Sequence, residues 1–205
     1  RAMARDYGTR RRIVGLLSIL VAFDVVVAVV VLLVIGSTGD DAEPRRPSTL
    51  PAFVEPWKHH LESAFKRAAR ENDLPVALLE ALAWRESRWR AEAYNPDSGA
   101  VGIGQLLPET AVFVAGELLG DPTLDPADAQ DNIRMMARYV RAQVESFNGD
   151  RRLALAAYLQ GSTSVRNDGV STTTAAYLAD ITEIRKRFEA AARGNPGSAL
   201  DPLSS

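Results

Sequence analysis

The distribution of apolar positions along the chain divides it into three kinds of sequence. Residues 13–35, IVGLLSILVAFDVVVAVVVLLVI, are almost unbroken apolar residues. At 1.5 Å per residue a run of this length crosses a hydrocarbon core of about 30 Å. It exceeds the h-region of a cleaved signal peptide, and no small-residue cleavage site follows closely. The pattern predicts a single transmembrane helix. Asp24 interrupts it at a cost of about 2.5–3.5 kcal/mol, either as a polar contact with a partner helix or as one acid that so apolar a helix tolerates. Residues 36–55, rich in Pro, Gly, Ser, Thr and acids, keep no period and read as a linker. The stretch from 193 to 205 reads as a flexible tail for the same reasons.

Between them, over residues 56–192, the period is helical. Residues 57, 61, 65 and 68 carry apolar side chains on one face of a first helix. Asp73 and Pro75 mark the start of a second, built on LPVALLEALAW. A loop over about 91–107 follows, and Pro108 opens a helix that Gly120 closes. Asp125 and Pro126 start a long helix reaching about residue 147. RRLALAAYLQ forms a short helix, a Gly/Ser/Asn loop follows, and TTTAAYLADITEIRKRFEAAA is a final amphipathic helix. No alternating strand pattern is present after the apolar run. The expected domain is all-α, with five or six helices.

Charge orients these parts. Arg1, Arg5, Arg10, Arg11 and Arg12 precede the apolar run, whereas Asp40, Asp41 and Glu43 follow it. The positive-inside rule places residues 1–12 in the cytoplasm and the remainder outside the cell membrane. Past residue 36 there remain 19 basic and 24 acidic residues, a balance of about −5. That argues against a nucleic-acid partner, which requires a basic stripe. The chain has no cysteine, so the external domain rests on its core without disulfides. His59 and His60 are adjacent and diverge by about 100° on a helix, so no metal site is expected from them.

One residue breaks the apolar logic of the second helix. Glu86 lies four residues after Leu82 and seven after Leu79, on the line of the buried face. Arg85 and Arg88 project to the sides. A carboxyl group among leucines pays for desolvation with a raised pKa, and an acid still protonated near neutrality can protonate a leaving group. Position alone leaves equal room for a structural glutamate paired with Arg85 or Arg88. The next segment, YNPDSGAVGIGQLLPETA, places Gly99, Gly102 and Gly104 where backbone can approach a ligand closely. It also offers Gln105, both donor and acceptor.

Taken in order, WRESRW, SGAVGIGQLLPETA, LDPADAQDNIRMMARYV and ALAAY resemble the lytic transglycosylases of the soluble, goose-lysozyme-like type, over roughly residues 56–190. The resemblance implies a lysozyme-like helical fold and a peptidoglycan substrate, with no cofactor. It implies that Glu86 is the single catalytic acid/base. Ser87 then shapes the site. Ile103, Gly104 and Gln105 belong to the stretch lining the glycan groove. Tyr158 faces the glutamate, and Tyr177 matches a late tyrosine of the family. Asn132 and Pro108 are structural. Two other outcomes stand beside it: lysozyme-type hydrolysis, if Asp97, Glu92 or Glu109 positions a water, and a weakly active glycan-binding module. The last is motivated by AYLQGS, where Leu159, Gln160 and Ser162 replace the family's asparagine, alanine and proline. Gly104 also stands where many members carry methionine. Trp84 and Trp89 could stack on sugars, but core or rim packing is the expectation for tryptophans flanking a buried helix.

Overall fold

The computed structural model describes residues 49–194. The apolar run at 13–35, residues 1–12, most of the linker and the tail from 195 lie outside the described residues. Among the described residues no helix is long and apolar enough to cross a membrane.

Among the described residues seven α-helices follow one another: α1 (Glu62–Glu71), α2 (Val76–Ser87), α3 (Pro108–Phe113), α4 (Ala129–Ser146), α5 (Arg151–Gln160), α6 (Ser162–Asp168) and α7 (Thr172–Ala192). A 3-10 turn over Pro56–Leu61 leads into α1, and α3 runs on into a π turn over Val114–Leu118. The all-helical expectation holds. Tyr94, Val101 and Leu106 form two isolated β-bridges in the loop between α2 and α3, and no strand is present among the described residues.

Local chemistry sets the helix ends, and not always at the expected residues. Asp73 has φ of +49° and lies in a turn before α2, while Pro75, extended, occupies the cap position. The side chain that caps α4 is Asp128, which accepts from the N–H groups of Gln130 and Asp131 at 2.8 and 3.0 Å. Asp125 closes the preceding turn by accepting from Ala127 N–H at 2.8 Å. Asp150 and Ser171 cap α5 and α7 in the same way, satisfying N–H groups that a helix start leaves open. The Gly/Ser/Asn loop expected after α5 contains α6, an extra helix.

At the centre is α2. Leu78, Leu79, Ala81, Leu82, Ala83 and Trp84 are all buried, so this helix has no single apolar stripe; it is enclosed. It packs along α7 and against α1, and α4 packs on α1 and α5. Trp84 and Trp89 are both in the core. Trp89 stacks on Phe188 with ring centroids 5.5 Å apart and lies 4.5 Å from Phe65. Phe53 meets Trp84 at 5.0 Å. This last contact corrects the linker boundary: Leu50, Phe53 and Val54 are buried core residues, so the domain begins at or before residue 49. Lys58 is buried beside them, paired with Glu55 at 2.8 Å and set 5.0 Å from the Trp84 ring.

Glu80 is a second buried carboxyl on α2. Burial, with the charge of Glu62 adding to it, pushes its pKa up to about 8 against the pull of Lys66. The folded state therefore holds a proton that the unfolded chain, with an ordinary value near 4.5, has released. Stability falls as pH rises between those values, by up to ~1.4 kcal/mol per pH unit. Urea unfolding at pH 5.5 and pH 8.5 is expected to show this loss in the wild type and a smaller loss in Glu80→Gln.

Candidate active site

Glu86 is the penultimate residue of α2, where the buried helix reaches the surface. The helix stops because Arg88 and Trp89 both take left-handed conformations, with φ of +54° and +60°. Ser87 then ties the helix end to the glycine-rich loop. Its hydroxyl donates to the Ile103 carbonyl at 2.8 Å and accepts from Arg90 N–H at 3.1 Å.

Asn132, fully buried on α4, clamps the same loop. Its Oδ1 accepts from Gly104 N–H at 2.7 Å, and its Nδ2 donates to the carbonyls of Val101 and Pro126 at 3.1 and 2.7 Å. Gly102 has to be glycine here. Its φ is +76°, and a Cβ would fall 2.3 Å from Asn132 Nδ2 and 2.7 Å from the Pro126 carbonyl. Gly104 is less tightly enclosed: a Cβ would meet Met136 Cγ at 2.9 Å, so a side chain at 104 requires the methionine on α4 to shift.

The structure distributes the candidate site residues unevenly. Ile103 is buried, so its side chain faces the core and only its carbonyl serves the loop. Gly104 presents its carbonyl to Tyr158, whose hydroxyl donates to it at 2.6 Å. Gln105, in a left-handed conformation, turns its Nε2 back to the carbonyls of Gly102 and Ala93 at 3.0 and 3.3 Å. The tyrosine that reaches the glutamate is Tyr177 on α7, whose hydroxyl donates to Glu86 Oε1. Tyr158 holds the loop in place, close enough to sense the charge of Glu86.

Glu86 and Tyr177 line an open cleft of about 580 Å³ with Arg85, Leu159, Thr172, Thr173, Ala176 and Asp180. Arg85 donates from Nε to Asp180 Oδ2 at 3.1 Å, and its guanidinium lies 5.1 Å from the centre of the Tyr177 ring. Glu86 therefore forms no ion pair among the described residues. Burial pushes its pKa up to about 7, opposed by the Tyr177 hydrogen bond and the Arg85 charge. Both tyrosine hydroxyls are held well above the usual phenol range, by burial first and then by the charge of Glu86. They remain donors at any physiological pH. Carbon-13 NMR titration of the glutamate carboxyls is expected to find Glu86 near pH 7. In Tyr177→Phe, which loses a hydrogen bond favouring the ionised form, the titration moves to higher pH.

Arg85, Thr172, Thr173 and Asp180 did not stand out as site residues in the sequence. Thr173, Ala176, Tyr177 and Asp180 recur at helical spacing on one face of α7, and that pattern was the available signal. Of the three departures in AYLQGS, Leu159 alone lines the cleft. Gln160 bonds to Ser164, Gly169 and Ser171, and Ser162 donates to Gln143 at 2.7 Å, so both serve the fold around α6. Asp97 and Glu92 are exposed on the loop, and Glu109 is exposed at the start of α3; none lines the cleft. His59 and His60 turn to different backbone carbonyls, those of Val54 and Trp57. Among the described residues no group of three metal-ligating side chains is gathered.

Residues 63–181, more than half of the chain, match the family described as Transglycosylase SLT domain. The chain belongs to this family. It is 28% identical over 127 residues to the peptidoglycan transglycosylase gp16 of Escherichia phage T7, covering 62% of this chain and 10% of that protein. It is 30% identical over 108 residues to the soluble lytic murein transglycosylase of Escherichia coli, covering 50% of this chain and 16% of that protein. The chain thus spans a small part of the length of these relatives. Among solved structures, an inactive mutant of the lytic transglycosylase Slt from Pseudomonas aeruginosa superposes with a TM-score of 0.58 at 25% identity, over 68% of this chain and 25% of that one. The 70 kDa soluble lytic transglycosylase of Escherichia coli gives the same TM-score at 21% identity and the same coverage, a likeness of fold.

Proposed function

We propose that this domain is a peptidoglycan lytic transglycosylase in which Glu86 is the single acid/base. One observation carries the reading: a buried carboxyl group whose pKa is pushed up to about 7, hydrogen-bonded by Tyr177, opens into a cleft of about 580 Å³. Near neutrality such a group is protonated in a large fraction of molecules, yet its conjugate base still accepts a proton. Protonated Glu86 delivers its proton to the glycosidic oxygen between N-acetylmuramic acid and N-acetylglucosamine as the C1–O bond breaks. The substrate's acetamido group stabilises the positive charge that develops at C1. The Glu86 carboxylate then removes the proton of the muramic 6-hydroxyl as that oxygen bonds to C1, which leaves a 1,6-anhydro end and restores the acid.

Enzymes that hydrolyse glycosides normally use two carboxyl groups. The second carboxyl of this cleft is Asp180, and its Oδ2 is engaged by Arg85. That pairing supports a one-carboxyl route over activation of a water. Mass spectrometry of digested cell wall tests the proposal. Anhydro-muramic ends are the expected product, reducing ends would mean hydrolysis, and an absence of soluble fragments would mean binding without cleavage. The apolar run at 13–35 fits a membrane anchor for a wall-directed domain, which cell fractionation of the full chain checks.

A further inference from the structure

The cleft contains a cation that the acid/base chemistry does not use. Arg85 precedes Glu86 on α2 and faces α7. Its Nε is taken up by Asp180, and its guanidinium lies over the Tyr177 ring, 5.1 Å from the ring centre. These two contacts fix the guanidinium without using its outer edge: among the described residues nothing accepts from Nη1 or Nη2. About 36% of the side chain remains open, and it lines the same cleft as Glu86. A planar, pre-positioned fork of N–H donors matches a carboxylate in a way that a lysine ammonium does not. Ordering costs that usually weaken an arginine contact are already met by Asp180 and Tyr177.

The apolar lining adds to this. Leu159, 43% exposed, and Ala176 place aliphatic surface in the same cleft. A ligand suited to such a mixture carries a carboxylate with a methyl group close by. Two parts of a muramyl substrate do so: the lactyl ether of a muramic residue that has lost its peptide, and an alanine residue ending the attached peptide. We propose that Arg85 is the carboxylate-binding residue of this cleft and that it selects glycan bearing a free carboxylate beside the scissile bond. The proposal rests on the reading of the cleft as a peptidoglycan site.

Binding to the Glu86→Gln protein, in which turnover is blocked, gives the test by calorimetry. Four probes are compared: a peptide-free muramyl disaccharide, the same sugar with its lactyl group amidated, a muramyl disaccharide bearing a tetrapeptide, and an N-acetylglucosamine tetramer with no carboxylate. Adding Arg85→Gln is expected to weaken binding of a carboxylate-bearing probe by about tenfold or more while leaving the tetramer unchanged. Arg85→Lys, which keeps charge and loses the fork, is expected to recover part of that loss. Loss confined to the peptide-free sugar, and absent in its amide, assigns the lactyl carboxylate. Loss confined to the tetrapeptide probe assigns the peptide. Equal weakening of all four probes, an unchanged affinity for all of them, or no binding of any carboxylate probe overturns the proposal. The product assay of the full chain is separate, so hydrolysis in place of anhydro formation would end the transglycosylase reading and leave this one standing.

Discussion

Glu86→Gln is expected to abolish release of wall fragments while the protein stays folded and still binds glycan. The amide has nearly the shape of the acid and can still accept from Tyr177, but it has no proton to deliver at neutral pH. Loss of a positioned general acid/base costs roughly a hundred- to ten-thousand-fold in rate, and here the same group serves both halves of the reaction. Turbidity clearing of purified cell walls gives the rate, and circular dichroism checks the fold. A variant clearing walls within a few-fold of wild type would remove Glu86 from its role. In the wild type the activity is expected to decline as pH rises through about 7, because the proton that starts the reaction is lost there. Folding is affected in the same direction: the folded state holds this proton more tightly than the unfolded chain does, so this group's stabilisation fades between its ordinary value and about 7.

The second large effect is on folding. Asn132→Ala removes one acceptor and two donors from a fully buried position. The Gly104 N–H and the Pro126 carbonyl then lose a partner, while the Val101 carbonyl keeps the Leu106 N–H. Each unsatisfied buried group costs about 1–3 kcal/mol, so a total of roughly 2–4 kcal/mol is expected. In a domain of this size that lowers Tm by on the order of 10 °C. Asn132→Asp separates the two halves of the clamp, since it keeps the acceptor for Gly104 and turns the donor into a charge facing two carbonyls. Scanning calorimetry of both variants reads the difference, and a loss below about 1 kcal/mol for the alanine variant would mean that the loop holds itself.

Much of the helical scaffold was legible because period and caps are local. RRLALAAYLQ and TTTAAYLADITEIRKRFEAAA give α5 and α7 with the expected bounds, since Asp150 and Ser171 sit where a cap must sit. Pro108 opens α3 for the same reason. Failures came where tertiary packing outweighed composition. Leu50, Phe53 and Val54 sit in a stretch whose prolines and threonines read as linker, yet the Trp84 and Phe188 rings take Phe53 into the core. Asp73 resembles a cap by type but adopts a left-handed turn.

At the site, the odd placement of Glu86 on an apolar helix was readable. Tyr177 was marked only through the family resemblance, and its bond to Glu86 was not readable, because it lies 91 positions later and only the packing of α7 on α2 joins them. Tyr158, expected to face the glutamate, lies close enough to sense its charge and gives its hydroxyl to the Gly104 carbonyl. The crowding of position 104 by Met136 is something that no reading of the loop alone could supply.

The buried segment around Phe53 bears on how this protein is cut for study. Family similarity begins at residue 63, and a fragment started there would discard Leu50, Phe53, Val54 and Leu61, all core residues. Trp84, two positions before the glutamate, would lose Phe53 and the adjacent Lys58. An expressed domain should therefore begin before Thr49, whose hydroxyl bonds to Glu62 at 2.5 Å and fastens the incoming chain to α1. Inactivity of a shorter piece would report on a missing wall of the hydrophobic interior and carry no information about its chemistry.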